Sequence, residues 1–535
     1  MAIMVSSLSG MGNAFITDDP IRFVRDSRVP PVVHTAKLAE ENGVSINQYS
    51  KATGVSEADI RAALMQAGFE RSTPSTPLAI EPSDLAENFF VQPGNGSISA
   101  AEIKDTIEQI EGFAPNPDLA AHTILLQAMN YRVNARQIVE AMVGVPGFSQ
   151  EEVEAYLLSQ GVVSPRLWGK VVEQSLIPEI RAGLTDGGLD GSGVTVQVLE
   201  IDDESHGEEV RSVIGDSVFG IAPGAEIEKA FLYPTDEAVN EAPPLPLEQR
   251  FWEAVGRSGL PPDDPRALKA GLSSLMATLI EESLPVTTQK IDQFVEGSDA
   301  RVLNMSYGIF VVSLYQEAMG LVTLVPELHK AMFPELVGLG QVGEFQRIVD
   351  LVDESVFNDA GVIAVYNEYV DATRRAAADG KVIVVSAGNS QRQVNGAANA
   401  GVRQPAGAGF NVLAMSDFVI SVGASTTHGT PENLADDTIA SFSSQGNDRF
   451  HATVTTQGVA VPIPYDTDPT WGTAVDGTSF SAPIVSGTVA LILQRHPDLT
   501  FAQVKAVLEG ATVDTAAPSI AEGAGMLDVV GAARG

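Results

Sequence analysis

The 535-residue chain contains no cysteine. Disulfide bonds, a cysteine nucleophile and thiolate metal sites are therefore excluded. Histidine is also scarce: the seven histidines are scattered, and no pair has the His-Glu-x-x-His spacing of a zinc-binding helix. The sequence consequently predicts neither thiol chemistry nor a zinc centre.

Long hydrophobic runs are missing as well. The nearest candidate for a membrane span, Gly308–Pro326, is interrupted by Gln316 and Glu317. The first twenty residues have neither the basic start nor the long apolar core of a Sec signal peptide. We therefore expect no membrane partner, and a location that is cytoplasmic or reached by non-classical secretion.

Positive charge is in short supply. The chain has 32 Lys and Arg against 69 Asp and Glu, a formal net charge of −37. Such a surface repels nucleic acid and anionic membranes, so neither is an expected partner. A hydrophobic content of 44% at this length predicts a globular protein with a substantial core and more than one domain.

The pattern of residues 1–165 predicts an all-α N-terminal region. It contains two similar helical units, about 34–69 and 122–163, in which His34-Thr35 matches His122-Thr123 and Gly54-Val55 matches Gly144-Val145. Ordered matches of this kind indicate a duplication. Because acidic residues outnumber basic ones here, nucleic-acid binding is not favoured. The region could instead be a pro-region, a targeting module or an interaction module that binds the catalytic domain or a partner protein.

The residue pattern changes from Gly191 onward. Residues 166–535 are predicted to form a second, α/β domain. Short β-branched runs alternate with helical segments, which indicates a doubly wound, mostly parallel sheet. Two mainly helical insertions are predicted at about 233–298 and 309–360. A helix is predicted from Asn367 to Asp379. The predicted strands are Val194–Leu199, Glu226–Leu232, Arg301–Gly308, Val382–Val385 and Phe418–Ala424.

The segment that follows Asp476 carries the chemistry most directly. A glycine turn runs into an apolar, small-residue stretch that ends at Arg495, and the absence of a polar stripe predicts a helix buried on all sides. Ser479 falls at the start of this helix, where unpaired N–H groups and the helix dipole favour developing negative charge. Its hydroxyl could act as a nucleophile, or it could simply cap the helix.

The motif Gly-Thr-Ser-Phe-Ser-Ala-Pro at 477–483 resembles the nucleophile motif of the subtilisin-like (S8) serine proteases. Further segments similar to motifs of that family follow its order over about residues 185–535. They are His206-Gly207, Gly220–Ala225, Asn304–Gly308, Ser386–Asn389, Ala440–Gly446 and Gly523–Val529. The resemblance implies a subtilisin-like α/β fold and a serine endopeptidase that cleaves protein or peptide substrates through an acyl-enzyme.

The same resemblance implies roles for individual residues. Ser479 would be the nucleophile, His206 the general base and later the general acid, and Asn389 a side-chain donor to the oxyanion. The edge Ser306, Tyr307 and Gly308 would pair with an extended substrate backbone. Ser386, Ala387 and Gly388 would form part of the wall of the pocket for the substrate's P1 side chain.

The sequence departs from the family at the acid. Glu200 occupies the position that the family gives to aspartate, and Asp202 is a second candidate on the same face of the strand. We favour Glu200 by its register. If neither carboxylate orients His206, the chain is a pseudoprotease that binds peptide as a scaffold; an esterase with the same triad is a further alternative.

The loop between the acid and His206 is short compared with the family, as is Ile214–Gly220. Those loops ordinarily supply part of the family's strong calcium site, so that site is expected to be absent. Pairs of aspartates at 436–437 and at 466 and 468 are interpreted as solvated acids. We therefore predict no metal and no cofactor, with calcium at one of these aspartate pairs as the alternative.

Overall fold

The computed structural model describes residues 171–185, 188–201, 205–233, 245–333, 340–427, 430–465 and 468–535. Contacts divide the chain into two compact units, residues 1–16, 172–463 and 475–535, and residues 17–171 and 464–474. The large sheet and the candidate site belong to the first unit. The predicted all-α region with its two repeats lies outside the described residues, and the predicted domain limits stay predictions.

Nine strands of the described part form one sheet, in the order β10-β11-β7-β5-β4-β3-β1-β2, with β6 beside β5. Two further strands, β8 and β9, form a separate two-stranded sheet. The strands are β1 (Thr195–Glu200), β2 (Glu226–Phe231), β3 (Val302–Met305), β4 (Val382–Ser386), β5 (Ile420–Thr426), β6 (Thr438–Ile439), β7 (Val454–Gln457), β8 (Val461–Tyr465), β9 (Asp468–Val475), β10 (Thr512–Val513) and β11 (Met526–Leu527).

The sheet is mostly parallel. All neighbours from β2 to β11 along the main path pair in parallel, whereas β6 pairs antiparallel with β5 and β10 with β11. The chain leaves β1 for β2 on one side and returns to β3 on the other side, which creates a switch point between β1 and β3. The predicted doubly wound α/β fold is confirmed, and its ligand crevice is expected at the carboxyl ends of these two strands.

Helices cover the sheet. They are α1 (Ile177–Thr185), α2 (Ser205–Gly215), α3 (Leu247–Arg257), α4 (Pro265–Gly297), α5 (Val311–Leu324), α6 (Pro326–Met332), α7 (Gly340–Phe357), α8 (Ala360–Ala378), α9 (Gln391–Asn399), α10 (Thr478–Arg495), α11 (Phe501–Gly510), α12 (Ser519–Glu522) and α13 (Val529–Arg534). Because the central strands are shielded on both faces, β4 is a continuous buried run of β-branched residues that ends in serine.

The helices α3 and α4 lie within the range of the first predicted insertion, and α5, α6 and α7 within that of the second. A helix predicted from Asn367 to Asp379 instead begins at Ala360. The earlier start has a local cause, because the Asp359 carboxylate accepts hydrogen bonds from the backbone N–H groups of Gly361 and Val362. An aspartate at the N-cap satisfies donors that a helix start otherwise leaves unpaired.

The helix α10 runs through the core of the unit. Its residues from Phe480 to Leu493 are all buried, which confirms the predicted helix without a polar face. It packs against α2, α13 and the strands β3, β4 and β5. Its first turn is thereby held at the carboxyl edge of the sheet, beside the switch point.

Candidate active site

The start of α10 depends on a glycine. Gly477, the N-cap, has φ +149°, a conformation that side-chain-bearing residues rarely adopt. A Cβ atom at this position would also lie 3.3 Å from Nδ2 of Asn389. Glycine thus allows the turn that brings Ser479 into the first turn of the helix, next to the Asn389 amide.

Ser479 is linked to the end of β3 by two reciprocal hydrogen bonds. Its Oγ donates to the carbonyl oxygen of Ser306 at 3.0 Å, and the Ser306 Oγ donates to the Ser479 carbonyl oxygen at 2.8 Å. The second bond replaces a helical one: the fourth residue after Ser479 is Pro483, which has no N–H to donate. The nucleophile candidate is therefore fixed to the sheet through its own carbonyl group.

Two buried side chains, to which the sequence interpretation assigned no role, extend this connection. Asn304 Nδ2 donates to the Ser306 Oγ at 2.9 Å, and Ser486 Oγ donates to Asn304 Oδ1 at 2.9 Å. The chain of bonds therefore runs from α10 through β3 and back to the Ser479 carbonyl. A polar Asn304 within the four-residue apolar strand β3 is the sequence signal that could have indicated it.

His206 and Glu200 lie together. The imidazole Nδ1 is 3.1 Å from Glu200 Oε2, and the carboxylate is 4% exposed while the imidazole is 30% exposed. When the Glu200 carboxylate accepts a hydrogen bond from Nδ1–H, the other ring nitrogen, Nε2, is left without a proton and can act as the base. The His206 ring also packs against Phe480, the residue after Ser479, with ring centroids 5.6 Å apart. Asp202, the other candidate acid, lies outside the described residues.

The side chain of Asn389 is oriented by the start of α10. Its Oδ1 accepts hydrogen bonds from Thr478 N and Thr478 Oγ1, both at 2.9 Å. The same Thr478 hydroxyl accepts the Gly388 N–H at 3.0 Å. With Oδ1 held in this way, the Nδ2 donor is directed towards Gly477, two residues before Ser479.

The two predicted substrate-binding segments are joined by a further residue, Asn411. Its Nδ2 donates to the carbonyl oxygens of Tyr307 at 3.0 Å and Ser386 at 2.8 Å, and its Oδ1 accepts from Ile309 N at 3.1 Å. Asn411 is fully buried. It was missed by the sequence interpretation because its partners are far away along the chain.

The ring of Phe310 lies between these two segments. A Cβ atom added to Gly308 would meet Phe310 Cζ at 2.6 Å, and one added to Gly388 would meet Cε1 at 2.5 Å. The ring is partly buried and packs on the main core. It therefore occupies the space between Gly308 and the predicted pocket wall that ends in Gly388.

Two further carboxyl groups, Glu208 and Glu209, follow His206 along α2. Loss of hydration raises the pKa of Glu209 to about 7, and the negative charge of Glu200 raises it while His206 lowers it. The pKa of Glu208 is lowered by its hydrogen bond to Lys229 and by its ion pair with Arg211. The site thus contains one neighbouring carboxyl group that titrates near neutral pH.

The described residues contain no cluster of three or more His, Asp or Glu side chains arranged to hold a metal ion. Asp437, interpreted from the sequence as a solvated acid, is instead buried at 3% exposure, and burial raises its pKa to about 7. Of the other pair, Asp466 lies outside the described residues. No helix in the described ranges combines the length and the apolar character needed to cross a membrane.

The family model described as the Subtilase family, peptidase S8, matches residues 199–526, which is more than half of the chain. The match begins at the end of β1, one residue before Glu200, and closes at β11. It therefore contains His206, Asn389 and Ser479.

Two curated bacterial proteins are similar to parts of the chain. Serine protease AprX from Bacillus subtilis (strain 168) is 34% identical over 158 residues, 27% of this chain and 33% of that protein. Subtilisin DY from Bacillus licheniformis is 32% identical over 189 residues, 35% of this chain and 58% of that protein. The chain thus spans about a third and somewhat over half of these relatives' lengths.

Among solved structures, fervidolysin from Fervidobacterium pennivorans, described as a keratinolytic enzyme related to subtilisin, matches 65% of this chain and 43% of its own. The identity is 18% and the TM-score 0.35. The Prenylagaramide maturation protease PagA matches 67% of this chain and 98% of its own, with 14% identity and a TM-score of 0.38.

Proposed function

The chain belongs to the subtilase family, and from that premise we propose that it is a serine endopeptidase, which hydrolyses peptide bonds through an acyl-enzyme. The observation that carries the proposal is the 3.1 Å contact between His206 Nδ1 and the buried Glu200 carboxylate, beside the helix start that bears Ser479. A base oriented by an acid and adjacent to a hydroxyl is the arrangement that acyl transfer needs.

In the proposed reaction, Ser479 Oγ attacks the scissile carbonyl carbon while His206 Nε2 takes its proton. Ser479 Oγ donates to the Ser306 carbonyl oxygen in the structure. It must therefore exchange that acceptor for His206 when substrate binds, a change expected of a catalytic hydroxyl without substrate. His206 then gives the proton to the leaving amine, and water repeats the sequence on the acyl-enzyme to release the acid.

Charge that develops on the substrate oxygen would be stabilised by two fixed features. The first is the Asn389 amide, whose Oδ1 is held by Thr478 so that Nδ2 remains to donate. The second is the N-terminal end of α10, where backbone N–H groups and the helix dipole favour negative charge. Both features are rigid, so little reorganisation is needed during the reaction.

The substrate proposed is an extended segment of a protein or peptide. The backbone at Ser306–Gly308 lies at the carboxyl end of β3, and Asn411 holds the Tyr307 and Ser386 carbonyl groups. A fixed backbone edge can pair with an extended substrate largely independently of its sequence. The role of Glu200 as the triad acid is part of the same proposal, with Asp202 as the competitor.

The test is covalent labelling of the full chain with a fluorophosphonate probe, followed by cleavage of fluorescently labelled casein. We expect the wild type to take the label and Ser479→Ala to take none. Asn389→Ala should lower casein turnover about 100- to 1000-fold, the usual effect of losing one oxyanion donor. The exposed Asn399 at the end of α9 provides a matched control, and Asn399→Ala should retain full turnover.

Glu200→Gln and Asp202→Asn distinguish the two acids, because only the residue that orients His206 should slow labelling sharply. A wild type that takes no label would contradict the proposed enzyme and favour the peptide-binding pseudoprotease. A wild type that takes the label and cleaves an activated ester but no peptide bond would favour the esterase.

A further inference from the structure

The helix α2 carries a buried arginine on the turn after His206. The side chain of Arg211 is 8% exposed, and its Nε, Nη1 and Nη2 atoms make no hydrogen bond of acceptable geometry within the described residues. Among the described residues its ion-pair partner is Glu208, with Nη2 2.6 Å from Oε1. A buried guanidinium with unused donors is costly, so its retention at this place calls for a function.

Within the part of the chain that the structure describes, the acid of the candidate triad lacks a hydrogen-bond donor at one oxygen, as Arg211 lacks acceptors. Glu200 Oε2 contacts His206, but Oε1 is buried and has no hydrogen-bond partner among the described residues. A carboxylate with one unpartnered oxygen can turn about its last side-chain bonds, and glutamate has one more such bond than aspartate. The position that the family gives to aspartate therefore needs an additional contact here.

Both unsatisfied side chains lie close to Gly207. A methyl group added to Gly207 would lie 2.9 Å from Glu200 Cγ and 3.0 Å from Arg211 Nη1. Both side chains thus approach Gly207 too closely to leave room for a Cβ atom, and glycine permits this approach. Among the described contacts the guanidinium and the Glu200 carboxylate lie farther apart than the 4.0 Å of an ion pair, so direct binding requires one of the two side chains to rotate.

We propose that Arg211 is a positioning residue for the catalytic acid: its guanidinium binds Glu200 Oε1 and so aims Oε2 at His206 Nδ1. The assignment rests on the proposed function, since Glu200 must act as the acid. It goes beyond that function by naming the cation that compensates for a glutamate where the family has aspartate.

The ion pair with Glu208 compensates the positive charge of Arg211 only in part. Its carboxylate is 61% exposed, and the same Oε1 atom also binds Lys229 Nζ at 2.6 Å. Exposed ion pairs are weak because water screens them. The buried face of the guanidinium therefore remains available to Glu200, and Lys229 offers an exposed cation on the same Glu208 oxygen for comparison.

The experiment measures the rate constant of fluorophosphonate labelling at saturating probe, together with the probe's apparent binding constant. Arg211→Met, Arg211→Lys and Lys229→Met are each made in the wild type and in Glu200→Gln. Arg211→Met should slow labelling about tenfold, within the range for directly coupled side chains. The apparent binding constant should stay unchanged, because the residue acts on the nucleophile and not on probe binding.

Arg211→Lys should recover most of the rate, and Lys229→Met should have no effect. In the Glu200→Gln background Arg211→Met should cause no further loss, since the group through which it acts is already neutral. Arg211→Gln replaces Arg211→Met if the latter fails to fold, with the same expectations.

Labelling of Arg211→Met at the wild-type rate would overturn the assignment, as would an equal loss in the Glu200→Gln background or a lysine variant as slow as the methionine variant. In all three cases the proposed protease function stands. A wild type that takes no label at all overturns both.

Discussion

Single residues determine the geometry at Ser479. Pro483 removes the N–H that would otherwise bond the Ser479 carbonyl oxygen, and Ser306 Oγ takes its place at 2.8 Å. A proline inside a helix ordinarily weakens it by leaving such a carbonyl unpaired. Here the freed acceptor instead connects the nucleophile candidate to the strand that is proposed to bind substrate. The helical hydrogen bond that Pro483 removes is thus replaced by a bond that positions Ser479.

Phe310 leads to a prediction about specificity. Its ring lies between Gly308 and Gly388, within the space next to the predicted P1 wall. We expect the wild type to cleave after small P1 residues, and Phe310→Ala to raise the preference for phenylalanine over alanine at P1 about tenfold or more, because the pocket deepens. The measurement is kcat/KM for two peptides that differ only at P1.

The exposed Phe357 at the end of α7 is the matched control, and Phe357→Ala should leave the ratio unchanged. An unaltered ratio in Phe310→Ala would show that the ring does not line the P1 pocket.

At the scale of whole elements, a buried lysine fastens the long helix α4 to the sheet. Lys381 Nζ donates to the carbonyl oxygens of Phe294 at 2.9 Å, Ser298 at 2.7 Å and Ala300 at 3.0 Å. The ammonium also lies 4.5 Å from the centre of the Phe294 ring. Cations at the carboxyl end of a helix satisfy its unpaired carbonyl groups and its dipole. The lysine precedes β4, so α4 and β4 are joined directly.

Lys381→Met should therefore lower the free energy of unfolding by about 3 kcal/mol, because three buried carbonyl groups lose a charged donor. Urea unfolding followed by circular dichroism, in the Ser479→Ala background to prevent self-digestion, measures the change. Lys269→Met removes an exposed lysine from the same helix and should change stability by less than about 0.5 kcal/mol. Equal effects of the two substitutions would contradict the role given to Lys381.

For the whole molecule, acidity is the dominant property. The formal net charge is −37, and burial raises the pKa of both Glu209 and Asp437 to about 7. Such groups hold protons in the folded state that the unfolded chain releases between about pH 4.5 and 7. Carboxyl groups whose pKa is lowered, such as Asp190 and Glu208, titrate below this window and leave it unaffected.

The free energy of unfolding should consequently fall as the pH rises from 5.5 to 7.5, and repulsion among the excess acidic groups acts in the same direction. We expect the thermal midpoint of Ser479→Ala protein to be a few degrees higher at pH 5.5, as measured by scanning calorimetry. Asp437→Asn should reduce this difference, since it removes one of the two groups. A midpoint that rises with pH would show that these carboxyl groups are not desolvated in solution.

The sequence by itself determined what depends on local pattern. The buried helix α10, the β-branched strands and the parallel α/β order follow from residue type and spacing, and the family motifs identified Ser479, His206 and Asn389 as candidates. Strand ends were placed to within a few residues; the start of α8 was placed too late because the cap at Asp359 was overlooked. The two helical repeats before residue 165 remain predictions.

Only the tertiary structure related side chains that are distant in sequence. Asn411 joins segments 25 and 104 residues away, and Ser486 bonds to Asn304 across 182 residues. From the sequence alone, Arg211 is predicted to be an exposed charged residue of α2. The structure shows that it is buried close to Glu200. The physical reason is that a buried polar atom pairs with whichever group the fold brings next to it. The spacing of residues along the sequence does not indicate which groups those are, or which polar atoms remain without a hydrogen-bond partner.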